Sequence, residues 1–294
     1  MTHKESFFKY LRFERHSSDH TILAYEKDLD QFEQFMLESI EGFVLVAATR
    51  NQVRSWVVYL MSNDYEPRSV HRKVSSLKSF YRYMRQCKVI AQAPTDNIPL
   101  PKLKKSLPRF VDVDAMNHLL VDGYFPNDFE GVRDFMVISM LYDVGMRVSE
   151  IVGLKDGDIR QAENLIRVMG KGKKMRVIPY PPILNQAIDK YLMMREQEFS
   201  SAASFFLLSV TGKKSYRKMV YNIVNKYLSL VTTLEQRSPH VLRHSYATHM
   251  MNNGADLNDV KALLGHSSLA ATQVYTHTTT ERLQKLYKQA HPRG

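Results

Sequence analysis

The residues with the clearest capacity for chemistry are an imidazole and a guanidinium three positions apart, His240 and Arg243. On a helix these two side chains share one face, and the preceding Ser238-Pro239 is typical of a helix start. Free backbone N–H groups and the helix dipole favour an anion there, so the pair predicts a phosphate-binding site. A surface His/Arg pair without function is the open alternative, and His244 lies near the same face.

Two further residues carry chemical groups in suggestive places. Lys171 stands between two glycines at the tip of a predicted β-hairpin, whose strands are residues 165–169 and 175–179. A lysine at such a tip can enter a groove or an active site, although a solvated turn lysine is the ordinary alternative. Tyr275 is one of 16 tyrosines, so packing explains it as well as chemistry does.

Several kinds of site are excluded by what the sequence lacks. It has no His-Glu-x-x-His motif, no paired aspartates at ligand spacing and no Walker A loop. Its single cysteine, Cys87, excludes a disulfide framework and a cysteine-rich zinc site. We therefore predict no metal and no cofactor. Cleavage of a phosphodiester by this chain would use cationic side chains and a covalent nucleophile.

The composition favours a polyanionic partner. Among 294 residues, 41 Lys and Arg against 30 Asp and Glu give a formal net charge of +11. No apolar run reaches membrane-spanning length and the N-terminus has no signal-peptide core, so nucleic acid is favoured over a membrane and a cytoplasmic location is expected. An apolar content of 44% excludes wholesale disorder, and the length suggests two domains.

The first predicted domain, residues 1–93, is helical. Helices are predicted from Thr21, over residues 51–62 and over residues 69–86. The last of these has an apolar stripe, with basic side chains on the other side. Phosphate contact is predicted for that basic face, and a solvated helix face is the alternative. The predicted DNA-binding residues of this face are Arg68, Arg72, Lys78 and Arg82.

A basic, proline-rich stretch over residues 94–108 is predicted to link this domain to a second one, residues 109–294. Prolines cannot continue a helix or a central strand, although a long surface loop would have the same composition. Three lysines in this linker, Lys102, Lys104 and Lys105, are predicted to contact DNA. In the second domain we predict a buried helix over residues 132–143 and a helix over 257–264, capped by Asp256 and ended by Gly265.

Five short motifs occur in the order found in tyrosine recombinases, and the sequence resembles that family over nearly its whole length. It is most similar to the bacterial Xer recombinases (the XerC and XerD type), also in its C-terminal tail. The motifs are Gly145-Met146-Arg147-Val148-Ser149-Glu150, Gly170-Lys171-Gly172, His240-Val241-Leu242-Arg243-His244, Leu263-Leu264-Gly265-His266 and Val274-Tyr275-Thr276-His277.

The resemblance implies a role for each motif residue. Tyr275 would be the nucleophile and would form a 3′-phosphotyrosyl link with DNA. Arg147 and Arg243 would hold the non-bridging phosphate oxygens, and Lys171 would protonate the leaving 5′-oxygen. The remaining roles concern support of this cluster. His240 and His266 would stabilise the transition state and assist proton transfer, and Glu150 would orient the cluster.

The resemblance also implies a fold and partners. The fold would be mainly α with a small antiparallel β-sheet, in a SAM-like helical core-binding domain and a mixed α/β catalytic domain. Four protomers would act on two double-stranded DNA sites through a Holliday junction, either as copies of this chain alone or together with a second Xer-type recombinase. Xer relatives suggest a DNA translocase of the FtsK type as a further partner. The last helix, about residues 280–289, would pack into a neighbouring subunit, with docking on its own domain as the alternative.

Xer-type resolution of chromosome dimers is the predicted function. A mobile-element integrase, or an enzyme that nicks and closes DNA in the manner of type IB topoisomerases, is the alternative within the same chemistry. A non-catalytic DNA-binding protein on the same scaffold is the alternative from another class. The complete set of motif residues argues against this last possibility.

Overall fold

The computed structural model describes residues 1–103, 110–121, 123–169, 175–199, 204–265 and 285–293. The chain divides into two compact units, Met1–Ser106 and Leu107–Gly294. Each has its own hydrophobic core. In the described ranges the structure is mainly helical, with a small three-stranded antiparallel sheet, which confirms the predicted fold class.

The described residues of the first unit form a bundle of four α-helices. Local signals fix two of the helix starts, since Ser18 caps the helix Asp19–Leu37 and a capping box of Thr49 and Gln52 starts the helix Arg50–Ser62. The core contains Trp56, which packs against Phe32. The helices are α1 (His3–Lys9, continued by a π-helical turn Tyr10–Glu14), α2 (Asp19–Leu37), α3 (Arg50–Ser62) and α4 (Pro67–Gln86).

Helix α4 presents the predicted apolar stripe to this core. Five residues at helical spacing are almost completely buried, namely Val70, Val74, Leu77, Tyr81 and Met84. The early part of the proline-rich stretch packs on the same unit. Thr95 and Ile98 are buried, and the Pro101 carbonyl lies 2.8 Å from His71 Nε2. Residues 94–101 therefore pack on the N-terminal unit, and the linker function of the stretch stays a prediction.

The second unit is built around the helix Phe129–Tyr142, which is buried along nearly its whole length and packs against three other helices of the unit. This helix begins three residues before the prediction because Asp128 accepts a hydrogen bond from the Gly131 N–H at 2.7 Å. The helices are α5 (Val113–Val121), α6 (Phe129–Tyr142), α7 (Val148–Gly153), α8 (Ile183–Glu198), α9 (Arg217–Val231), α10 (Pro239–Asn252) and α11 (Leu257–Leu264).

The small sheet contains the predicted hairpin. Strands β2 (Leu165–Met169) and β3 (Met175–Pro179) are antiparallel, with Leu165 opposite Pro179 and Met169 opposite Met175. A two-residue strand β1 (Ile159–Arg160) pairs with the other edge of β2. The hairpin tip with Lys171 lies outside the described residues.

The C-terminal tail packs on its own unit. The Tyr287 hydroxyl donates to the Asp143 carbonyl at 2.7 Å, and Arg293 pairs with the buried Asp143 carboxylate at 2.8 Å. This is the alternative considered for the tail, not the packing into a neighbouring subunit. Exchange of the tail between protomers on DNA stays a prediction.

Candidate active site and DNA-binding face

Arg147 stands at the first turn of α7, where its own helix fixes its backbone. The Arg147 N–H donates to Glu150 Oε2 at 2.8 Å, and Arg147 Nη1 donates to Glu150 Oε1 at 2.8 Å. The turn before it needs Gly145, whose φ is +66° and whose missing Cβ would lie 2.8 Å from the Tyr246 ring. The guanidinium is therefore aimed by a backbone turn and by a carboxylate one helical turn away.

Arg243 lies in α10 and is nearly buried, with 8% of its surface exposed. Its guanidinium donates to the carbonyls of Gly145 and Leu264. Burial, together with the charge of nearby Arg147, lowers the pKa of Arg243 to about 10. The group is thus still a cation at neutral pH, held in a place where desolvation disfavours charge.

The end of α11 brings the two arginines together. Gly265 closes this helix in the left-handed conformation, with φ of +65°, as the sequence predicts. Carbonyls at a helix end have no partner within the helix. Here the Leu264 carbonyl accepts from Arg243, and the adjacent Gly265 carbonyl accepts from Arg147 Nη2 at 3.0 Å. Two residues 96 positions apart in the sequence therefore share one anchor.

Glu150 binds a second arginine that sequence reasoning missed. Arg176 of β3 donates from Nη1 to Glu150 Oε1 at 2.6 Å and from Nη2 to Oε2 at 3.0 Å. Burial alone would raise the pKa of Glu150, but the hydrogen bonds and charges of Arg176 and Arg147 outweigh it and lower the pKa below its ordinary value. The sequence signal for this contact is weak, since a single arginine in a strand next to a lysine-rich turn is typical of a surface residue.

The histidines of the α10 motif are less constrained. His240 lies one turn before Arg243, in the first turn of α10, and its side chain is exposed, as is that of His244. Both imidazoles therefore remain candidates for contact with a phosphate. Ser238 occupies the predicted capping position with an extended backbone, but its side chain makes no capping hydrogen bond, which corrects that part of the prediction.

Three of the predicted catalytic residues, Lys171, His266 and Tyr275, lie outside the described residues. Of the others, Arg147, Glu150 and Arg243 are brought together. The Arg147 side chain keeps one third of its surface exposed beside the buried carboxylate. Two guanidinium groups converging at one helix end can bind the oxygens of a phosphate and stabilise charge that builds up on them.

The predicted DNA-binding face of α4 is only partly a set of free cations. Arg68 and Arg82 are exposed, and Lys78 is half-buried. Arg72 differs from the prediction, because its guanidinium pairs with Asp28 of α2. The Asp28 carboxylate is buried where α2 packs against α4. Spacing on one helix could not show this, since the partner lies 44 residues earlier in the chain.

A basic depression lies beside this face. Lys78, Arg82 and Arg85 line a cavity of about 250 Å³ together with Thr95, Asp96 and Asn97. Lys102 is exposed just after Pro101, which is held against α4, while Lys104 and Lys105 lie outside the described residues. Packed chain from the predicted linker thus forms one wall of a positively charged surface in the first unit.

Two structural findings bear on other classes of site. Within the described ranges, no three histidine, cysteine or acidic side chains are grouped closely enough to hold a metal ion. Within the same ranges, every helix is too short or too polar to cross a membrane.

Two known protein families match most of this chain. Residues 111–282 match the phage integrase family, and residues 5–88 match the N-terminal SAM-like domain of phage integrases. The chain belongs to the tyrosine recombinases of the phage integrase family. It is therefore an enzyme of DNA cleavage and strand exchange, in which a SAM-like domain precedes the integrase domain.

Tyrosine recombinases of two bacteria align with nearly the whole length of this chain. It is 35% identical to tyrosine recombinase XerC of Staphylococcus saprophyticus, over 99% of this chain and 97% of the relative. It is 33% identical to tyrosine recombinase XerC of Chlorobaculum parvum, over 98% of this chain and 94% of the relative. The recombinase is thus a XerC-like site-specific recombinase.

Solved structures with the same fold include complexes with DNA. The XerH site-specific recombinase bound to its palindromic difH substrate matches with a TM-score of 0.68 and 20% identity, covering 96% of this chain and 83% of XerH. The Tn1549 transposon integrase in complex with transposon right-end DNA matches with a TM-score of 0.71 and 18% identity, covering 96% of this chain and 98% of the integrase. At these identities the likeness concerns the fold.

Proposed function

We propose that the recombinase cuts and rejoins duplex DNA at a specific site through a 3′-phosphotyrosyl intermediate on Tyr275, and that it resolves chromosome dimers as an Xer recombinase. The observation that carries this proposal is the convergence of Arg147 and Arg243 on neighbouring carbonyls at the end of α11. In the sequence, Gly265 at that end is followed by His266, and Tyr275 comes nine residues later. The identity to XerC proteins favours the Xer role.

Six side chains take part in the proposed cleavage reaction. The phenolic oxygen of Tyr275 attacks the scissile phosphorus, a P–O bond forms, and the bond to the 5′-oxygen breaks. Lys171 gives a proton to that leaving oxygen, while His240 and His266 assist removal of the phenolic proton. Arg147 and Arg243 bind the non-bridging oxygens. Because these two cations are fixed before DNA arrives, little reorganisation is needed when charge develops on the phosphate.

The intermediate explains why strands can be rejoined without an external energy source. The ester between Tyr275 and the DNA conserves the energy of the broken phosphodiester bond. A 5′-hydroxyl from a partner strand can therefore attack this ester and reverse the reaction. Exchange of one strand pair gives a Holliday junction, and exchange of the other resolves it. In this role four protomers act on two DNA sites, either as copies of this chain alone or together with a second Xer-type recombinase, and a translocase of the FtsK type is a further proposed partner.

The test is covalent capture on nicked DNA. The target site is first selected by the protein from a random duplex library, and a nick near the cleavage position then lets a short product diffuse away. We expect the wild-type chain to form an adduct in the presence of EDTA, with the DNA mapped to Tyr275 by mass spectrometry. Tyr275→Phe should bind the DNA and form no adduct, while the exposed Tyr216→Phe should behave as wild type.

An adduct in the Tyr275→Phe variant, or a requirement for magnesium, would contradict the proposed chemistry. The genomic position of the selected site tests the biological role. A site near the replication terminus supports chromosome dimer resolution, and a site at the end of a mobile element contradicts it.

A further inference from the structure

Arg176 is a buried arginine that the proposed reaction does not use, and it touches two parts of the candidate site. It is the second residue of β3, opposite Val168 of β2, and 7% of its side chain is exposed. Strand β3 is the chain that leaves the predicted Lys171 tip. A buried guanidinium is costly unless it is paired and hydrogen-bonded, so its contacts indicate its purpose.

The first contact is with the buried carboxylate of Glu150, which accepts four hydrogen bonds. Its two oxygens accept two hydrogen bonds from Arg176, one from the Arg147 guanidinium and one from the Arg147 backbone. The fork-to-carboxylate geometry of Arg176 fixes both the position and the plane of the Glu150 carboxylate. Glu150 in turn fixes the Arg147 guanidinium. The rotamer of Arg147 therefore depends on Arg176 through one shared carboxylate.

The second contact is with the end of α11. A Cβ at Gly265 would lie 2.8 Å from Arg176 Cδ and Nε, so the aliphatic stem of Arg176 fills the space beside this glycine. The Gly265 carbonyl is the acceptor of Arg147 Nη2. Arg176 thus supports both of the groups that hold the side chain of Arg147, namely the Glu150 carboxylate and the turn at Gly265.

Charge balance gives Arg176 a second effect. With Arg147 and Arg176 both paired to Glu150, the carboxylate is shared and cannot neutralise Arg147 completely. Arg243 adds a third cation nearby, as the influence of both other arginines on its pKa shows. The cluster keeps an excess of positive charge, which an incoming phosphate would compensate.

We propose that Arg176 is a positioning residue for DNA cleavage, which fixes Glu150 and the Gly265 turn and thereby holds Arg147 ready to bind the scissile phosphate. This inference rests on the proposed function of the site. It assigns no contact with DNA to Arg176 itself.

The experiment measures single-turnover cleavage of the selected nicked duplex at saturating protein, beside the affinity for the same duplex. We expect Arg176→Ala to lower the cleavage rate about 100-fold, because misplacement of a catalytic group by about 1 Å has effects of this size, while the affinity changes less than threefold. Arg176→Lys keeps the charge but not the fork, and should recover only part of the rate. The control is Arg160→Ala, because Arg160 lies in β1 at the other edge of the same sheet and pairs with an exposed carboxylate.

Two readouts separate positioning from a general loss of packing. If Arg176 acts through Glu150, its removal from a Glu150→Gln background should cost little more than Glu150→Gln alone. Since Arg176 lowers the pKa of Glu150, its loss should also move the acid limb of the pH–rate profile towards higher pH. A packing defect would lower the rate at every pH by the same factor.

The outcomes distinguish this inference from the proposed function. No adduct from the wild-type chain would contradict the function of the site and the role of Arg176 together. A wild-type adduct with unchanged cleavage in Arg176→Ala, or losses that multiply in the Glu150→Gln background, would overturn only the role of Arg176. If Arg176→Ala does not fold, as judged by its thermal transition, the same comparison is made with Arg176→Lys.

Discussion

The two units of this recombinase use arginine in different ways. In the catalytic unit, Arg243 and Arg147 donate to main-chain carbonyls at the ends of secondary structure, and their positions are fixed before any ligand binds. On α4 of the first unit, Arg68 and Arg82 extend into solvent. Each carbonyl that binds the first pair belongs to a segment distant in sequence from the arginine it binds, whereas the second pair extends from one helix.

This difference fits the two tasks predicted for these arginines. A catalytic cation must meet one phosphorus at a defined distance, so its desolvation is accepted in exchange for a fixed geometry. A cation that tracks a DNA backbone gains from counterion release and works with a mobile side chain. Arg72 shows that exposure on a helix is not enough to assign the second task, since its guanidinium is committed to Asp28.

The largest effect on DNA cleavage is expected from Arg243. Arg243→Ala should lower single-turnover cleavage about 100- to 1,000-fold, the range seen when one fixed donor to a developing oxyanion is removed. Arg195 is a matched control, because it too is largely buried and donates to a main-chain carbonyl, that of Phe206, at 2.9 Å. Arg195→Ala should reduce thermal stability and leave the cleavage rate of the folded protein unchanged. Equal cleavage losses in the two variants would remove the distinction between them.

The next effect concerns the stability of the first unit. Asp28→Ala leaves the nearly buried Lys73 without its carboxylate, and should lower the free energy of unfolding by about 3–5 kcal/mol. Trp56 is the sole tryptophan and is buried in this unit, so its fluorescence in a urea titration reports this unit alone. Asp96→Ala breaks an exposed pair with Arg85 and should cost less than about 1 kcal/mol. A similar cost for both variants would show that burial of Asp28 is unimportant.

A smaller loss of cleavage activity is expected when the turn that anchors Arg147 and Arg243 is crowded. Gly265→Ala meets the Arg176 stem and should lower cleavage about tenfold, equivalent to about 1.4 kcal/mol. Gly254 also has a positive φ, but a Cβ there meets nothing within 4 Å. Gly254→Ala therefore matches the backbone strain without the crowding, and should keep the wild-type cleavage rate. If Gly265→Ala also cleaves at that rate, the turn does not set the arginine geometry.

The smallest effect separates the arginines of α4. Arg82→Ala should weaken binding to the selected duplex a few-fold and make the slope of log K against log salt shallower by about 0.9, the value for one lost phosphate contact. Arg72→Ala should leave this slope closer to that of the wild type and should instead lower the urea midpoint followed by Trp56 fluorescence. Equal changes of slope for the two variants would show that the ion pair with Asp28 opens on DNA.

Elements with strong local signals were predictable. The strands of the hairpin, and α11 with Asp256 before it and Gly265 after it, lie where the sequence places them. Helix α1 was missed, because its few apolar residues give no clear period and it depends on packing of Phe7 against the bundle. The roles of Lys171, His266 and Tyr275 came from resemblance to a family and stay predictions.

Contacts between distant segments were not predictable. The pair of Arg72 with Asp28, the fork of Arg176 on Glu150 and the tail on Asp143 each join residues from different elements. Helical spacing orders side chains around one axis, but a long arginine reaches past its own face to a neighbouring helix.

The sequence by itself determined the bounds of the hairpin strands and of α11, the approximate bounds of α3, α4 and α6, and which residues form the family motifs. Capping, periodicity and turn chemistry decide these features because they act over a few neighbouring residues. Only the tertiary structure decided which cations are free and which are held. That choice depends on the carboxylates and carbonyls that folding brings within hydrogen-bonding distance, and on the loss of water around them, which makes each such pairing obligatory.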